Sequence, residues 1–182
     1  MMNTASKKIL PLYTLGIVMA MGSGIRSAQA IDNNLHFSGT LVSEPCNLDP
    51  QTSDILVDFG SIVDKYLYAN ARTKSIPFVV KLTDCDTSLG NKATLTFKGT
   101  ENTALPGLLA VTGAATGIAI GMEASDGSAL PFNAPTPEYT LAKGTNSFTL
   151  GAYVQAEPLA IAQQTITQGD FTATATFELA YP

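Results

Sequence analysis

Apolar and polar positions along the chain alternate with a period of two over short runs, the signature of half-buried strands. Ile55, Val57 and Phe59 alternate with Leu56 and Asp58 before Gly60. Ile76 to Leu82 is mostly apolar and β-branched, as a strand covered on both faces would be. Leu95 and Phe97 alternate with Thr94, Thr96 and Lys98 and stop at Gly99; Ile118, Ile120 and Met122 share a face. Asp126-Gly127 then predicts a tight hairpin turn towards Leu130 and Phe132. Phe148 and Leu150 begin a further strand that extends towards Ala152 and Val154. The most regular run is the last: Phe171, Ala173, Ala175, Phe177, Leu179 and Tyr181 alternate with Thr172, Thr174, Thr176 and Glu178.

Helical periodicity is sparse. Val63, Leu67 and Ala71 allow one or two turns within 61–75, and Ala156 to Gln164 allows another. Pro131, Pro135 and Pro137 mark a loop rather than a linker, because both flanks read as strands of one unit. Six or seven short strands with turn signals between them predict an all-β, immunoglobulin-like sandwich.

The first thirty residues follow another pattern. Lys7 and Lys8 precede an apolar stretch from Ile9 to Met21, and Ala28-Gln29-Ala30 closes the segment, which predicts a secretory signal peptide over 1–30. The stretch is shorter than the roughly 20 residues a membrane-spanning helix needs. Cleavage after Ala30 removes Lys7, Lys8 and Arg26 and takes the formal charge from −5 to −8. An acidic chain with so few cations cannot neutralise a phosphate backbone, so nucleic-acid binding is excluded as an expectation.

Chemistry-bearing side chains are few. One His and two Cys provide no zinc cage and no Cys-x-x-Cys pair, and no Gly-x-Ser-x-Gly elbow occurs. Asp84 and Asp86 flank Cys85 and read as a solvated loop, and His36 reads as a solvated strand position. No catalytic residue, metal ligand or cofactor is expected, and no direct small-molecule substrate. In an exported protein Cys46 and Cys85 are most simply a disulfide.

The two ends carry the functional signal. Residues 31–43, ahead of the first cysteine, place Leu35, Phe37, Gly39 and Leu41 on one face and Asn34, His36, Ser38 and Thr40 on the other. The last strand is followed only by Pro182, so no downstream segment is expected to cover its edge. An amphipathic strand at one end and an open strand edge at the other form a plan for β-strand addition.

At these residues the chain resembles the pilin subunits of chaperone-usher fimbriae. The family's chaperone-binding signature is a penultimate aromatic, alternating apolar residues and a glycine fourteenth from the end; here these are Tyr181, the run from Phe171 to Leu179, and Gly169. The stretches Thr94 to Glu101, Ala104 to Gly107 and Ala173 to Leu179 are most similar to an adaptor-type minor subunit of the P fimbrial tip. The resemblance implies an incomplete immunoglobulin-like sandwich, residues 44–182, that lacks its last strand. A periplasmic pilus chaperone, and then a neighbouring fimbrial subunit at the outer-membrane usher, would lend the missing strand. Residues 31–43 would donate through Leu35, Phe37, Gly39 and Leu41. The groove beside Gly169, Phe171, Ala173, Ala175, Phe177, Leu179 and Tyr181 would accept, and the product would be a fimbrium on the cell surface. A carbohydrate-binding adhesin, or a major or terminator pilin, is the alternative; a small secreted enzyme has no supporting residues.

Overall fold

The computed structural model describes residues 44–182. The signal peptide expected at 1–30 and the donor residues Leu35, Phe37, Gly39 and Leu41 lie outside the described residues. In chain order the elements are β1 (Asn47–Leu48), a 3-10 turn (Pro50–Thr52), α1 (Asp64–Asn70), β2 (Ile76–Cys85), β3 (Lys92–Lys98), β4 (Leu109–Ala110), β5 (Thr112–Gly113), β6 (Ile118–Ala124), β7 (Tyr139–Thr140), β8 (Gly144–Ala156), α2 (Pro158–Gln163), β9 (Phe171–Thr172) and β10 (Thr176–Ala180).

Two sheets form the sandwich, ordered β1-β2-β8-β6-β4 and β10-β3-β7, and β5 pairs with β9 as a short link. Every ladder is antiparallel. The central pairings set like residues opposite one another: Val80 faces Phe148, Ile120 faces Val154, and Phe177 faces Phe97. Val80, Leu82, Leu95, Leu150 and Val154 are fully buried between the sheets. Burying side chains of this size contributes roughly 1.5–3 kcal/mol each, before the cost of ordering the chain.

The two helices fall inside the stretches whose spacing predicts them. Each is too short to be stable alone and is held by packing, Leu67 anchoring α1 and Ala160 anchoring α2. Pro158 occupies the first turn of α2, where its missing N–H costs no hydrogen bond. The Asp126-Gly127 hairpin forms, with Gly127 N–H bonded to the Ala124 carbonyl at 2.9 Å.

The hairpin's return arm does pair with β6, the Ala124 N–H donating to the Ser128 carbonyl at 2.8 Å and the Leu130 N–H to the Met122 carbonyl at 2.9 Å, and Leu130 and Phe132 are buried. Two strand expectations are corrected. Residues 55–59 carry no ladder among the described residues. The last strand is not continuous: β9 pairs with β5 and β10 with β3, and Ala173 to Ala175 between them carry no ladder. In the last strand pairing fails where the chain leaves one sheet before reaching another, a feature that side-chain alternation does not encode.

Candidate functional site: a groove between two unpaired edges

The segment 53–62 runs beside the core without joining a sheet. Its alternation is real: Ile55, Val57, Phe59 and Ile62 are half-buried, whereas Leu56 is 92% exposed. Across from it lies the last strand, whose Phe171, Ala173, Phe177, Leu179 and Tyr181 are also only half-buried. Ala175 is exposed and still lines the hollow. Side chains on the inward face of a closed sandwich are normally covered. Here they are uncovered because a groove separates the two segments.

The groove is a run of adjoining hollows. One of about 510 Å³ lies between 56–62 and 169–173, and another of about 370 Å³ lies between 53–59 and 173–177. Phe78, Phe97, Ile120, Met122 and Ala152 form its floor. The rings of Phe97 and Phe177 sit 5.9 Å apart and those of Phe78 and Phe97 6.4 Å apart in an edge-on contact, so aromatic packing holds the floor in shape. At the other end Phe59 and Phe171 approach to 6.2 Å. Among the described residues neither 54–62 nor the outer edge of β10 has a backbone ladder partner. An apolar floor with an unladdered backbone on both rims can take one extended strand.

Gly169 positions the start of the last strand. Its φ is +149°, and a Cβ there would stand 2.6 Å from the Ala114 Cβ, so no side chain fits. The next residue locks the approach: the Asp170 carbonyl accepts from Ala114 N–H at 2.9 Å and Ala115 N–H at 3.2 Å. At the far end the Tyr181 hydroxyl donates to the Cys46 carbonyl at 3.3 Å. Burial pushes the Tyr181 phenol above its ordinary pKa, and the charge of Glu44 adds to this, against the Cys46 hydrogen bond.

Cys46 and Cys85 are joined in a disulfide and both are 3% exposed, so the bridge pins the chain ahead of β1 to the end of β2. Asp49 reinforces that corner through a 2.9 Å ion pair with Lys81. Its carboxyl is held below its ordinary range, first by the Gln51 N–H and then by Lys81. On the opposite sheet Lys98 and Glu178 pair at 2.6 Å across β3 and β10.

The structure thus brings Gly169, Phe171, Ala173, Ala175 and Phe177 together along the groove, with Leu179 and Tyr181 continuing the same strand. It adds the facing rim, whose alternation at Ile55, Val57 and Phe59 reads equally well as an ordinary core strand. Among the described residues no group of three His, Cys, Asp or Glu side chains is placed to hold a metal ion.

Comparison with known proteins agrees with this architecture. The profile of the family described as Fimbrial protein matches residues 35–182. The chain is 37% identical over 168 residues to the fimbrial adapter PapK of Escherichia coli, covering 87% of this chain and 93% of that one. It is 32% identical over 169 residues to the fimbria A protein of Serratia marcescens, covering 92% and 95%. Among solved structures, the P pilus rod subunit PapA superposes with a TM-score of 0.68 at 24% identity, over 76% of this chain and all 100% of that one. A subunit in the structure of a chaperone-usher pilus gives 0.67 at 26% identity, over 85% and 97%. The fold is therefore the incomplete immunoglobulin-like sandwich of pilins, and the chain belongs to the fimbrial protein family as a subunit of the chaperone-usher kind.

Proposed function

We propose that this chain is a structural subunit that polymerises by strand exchange, with the groove between 53–62 and 169–177 as acceptor and residues 31–43 as donor. The observation that carries the reading is the groove itself, apolar along its floor and unladdered on both rims among the described residues. A periplasmic chaperone first supplies a strand, which covers the half-buried face of Phe171, Ala173 and Phe177 during transit. The extension of a neighbouring subunit then replaces it at the outer-membrane usher, and the joined subunits emerge as an extracellular fimbrium.

Main-chain hydrogen bonds along the rims supply affinity, while Leu35, Phe37 and Leu41 of an entering extension supply register by filling successive hollows. Each such side chain contributes roughly 1.5–3 kcal/mol when buried, less the cost of ordering the extension. Gly39 suits a point where the floor rises too close for a side chain. The position we assign in the fibre is that of a tip adaptor, supported by the 37% identity to the fimbrial adapter PapK against 32% to the Serratia fimbria A protein.

The test is to purify the mature chain from the periplasm with and without a pilus chaperone, and then to add a peptide of residues 31–43. Recovery as a one-to-one chaperone complex that exchanges for the peptide supports the reading. A cooperatively folded monomer lacking residues 31–43, with no strand added, overturns it.

A further inference from the structure

The groove has a direction. Ser53 to Phe59 faces Ala173 to Phe177 at one end, and Phe59 to Ile62 faces Gly169 to Phe171 at the other, so the two rims run antiparallel. All ladders in the domain are antiparallel. A strand that extends the second sheet from β10 in the same manner enters beside Phe177 and leaves beside Gly169 and Ile62.

A further hollow opens at that exit. It is about 720 Å³, shares Phe59, Ser61 and Ile62 with the groove, and continues over α1 past Val63 and Tyr66. Val63 is 61% and Tyr66 42% exposed, so the surface is apolar and uncovered. Lys65 and Lys74 stand on its lining. Four of the five other described cations are engaged: Arg72 with Glu123, Lys81 with Asp49, Lys92 with Glu138 and Lys98 with Glu178, leaving Lys143 outside the hollow. Among the described residues, Lys65 and Lys74 take part in no ion pair.

We propose that this hollow seats the base of the donating subunit, with Lys65 and Lys74 facing an acidic side chain in the position of Glu44. The proposal rests on the strand-accepting reading above. In a donor of this design Leu41 is separated from the disulfide-bonded Cys46 by five steps of chain, a reach of at most about 18 Å. The donor's folded body must therefore sit against the exit. Glu44, exposed, lies within that short connection. Opposite charges across the rim of such a contact set its orientation and speed its formation more than they raise its affinity. The joint would then be seated at a set angle rather than hanging from one strand.

The experiment holds an accepting copy with a periplasmic pilus chaperone and offers it either a free peptide of residues 31–43 or a second full copy of this chain. Changing Lys65→Glu together with Lys74→Glu in the acceptor is expected to slow joining to the second copy by about tenfold at low salt, less at high salt. Peptide entry should stay within about twofold, which also reports that the variant's groove is intact. Glu44→Lys in the donor should restore the rate. Equal joining rates for wild-type and variant acceptors overturn the proposal, as does a wild-type second copy that fails to join where the peptide enters. Failure of the peptide to enter the wild-type groove refutes the strand-accepting reading instead.

Discussion

The hydroxyl of Tyr181 donates to the carbonyl of Cys46 at 3.3 Å, joining residues 135 positions apart in sequence. The bond ties the end of the last strand to the segment stapled by the disulfide. Tyr181→Phe removes only this bond and is expected to lower stability by about 0.5–1.5 kcal/mol. Tyr181→Ala also removes ring packing and should cost about 2–3 kcal/mol, below the figure for a fully buried aromatic because the ring is half-buried. Urea unfolding of the strand-complemented protein distinguishes the two.

The same phenol predicts an alkaline limit. Burial raises its pKa in the folded protein, so the stability it contributes is fully present below the unfolded value of about 10. That contribution is lost as pH rises through the folded value. Tyr139, also raised chiefly by burial, acts in the same direction. Thermal melting of the complemented protein should fall off above pH 10 in the wild type and more gently in Tyr181→Phe. An unchanged slope in the variant counts against the assignment.

Acid acts on a different corner. Glu123 accepts from the Ser75 hydroxyl and pairs with Arg72 at 2.8 Å, and these contacts, Ser75 first, hold its carboxyl below the ordinary range against some desolvation. A lowered carboxylate contributes stability above its unfolded value and loses it as pH falls through the folded one. Glu123→Gln should therefore flatten the loss of stability below about pH 4.5. Arg72 stacks 3.8 Å over the Tyr153 ring, so removing the charge at residue 123 leaves a second hold on the guanidinium.

How far the fold can be read in sequence depends on where hydrogen bonds cross between sheets. The alternation of Leu95 and Phe97, and the apolar run of Ile76 to Leu82, predict β3 and β2 because each lies within a single sheet, but β2 is not covered on both faces: Val80 and Leu82 are buried while Val79 is 39% exposed. Phe171 to Tyr181 alternates just as cleanly, yet the strand breaks at Ala173–Ala175 because its two halves pair with different partners. Ile55, Val57 and Phe59 carry a strand's pattern without a ladder among the described residues, and no local signal tells a groove rim from a core strand. Gly169 was legible only through resemblance. Its physical reason, the 2.6 Å approach to Ala114, involves residues 55 positions away.

That approach makes Gly169→Ala a sharp substitution. Added to an unfavourable φ, the clash with Ala114 should cost about 1–3 kcal/mol and shift Phe171 in the groove. Chaperone capture should weaken accordingly. Gly127→Ala provides the control: it also has positive φ but meets nothing within 4 Å, so it should cost less and leave capture unchanged.

Removing the bridge by changing Cys46 and Cys85 together to Ser should destabilise the complemented domain by roughly 4 kcal/mol on the loop-entropy account, for a separation of 39 residues. Because β1 and the Tyr181 bond depend on the same corner, capture should suffer as well. Thiol titration of protein taken from the periplasm checks the premise: two free thiols would remove it.

The donor and acceptor ends make opposite predictions, and this separates strand exchange from a simple folding defect. On the strand-exchange proposal Gly39→Leu alters only the strand this subunit gives away, so chaperone capture should be unchanged. Joining to a preceding subunit should fail wherever the receiving groove is too shallow at that point for a side chain. On the same proposal Tyr181→Ala alters the end of this subunit's own acceptor strand, so capture should weaken first and joining only in consequence. Pull-down with the chaperone, beside strand exchange into a preceding subunit's groove, measures both. Loss of capture in Gly39→Leu, or unchanged capture and assembly in Tyr181→Ala, would reverse or remove the assignment of the two ends.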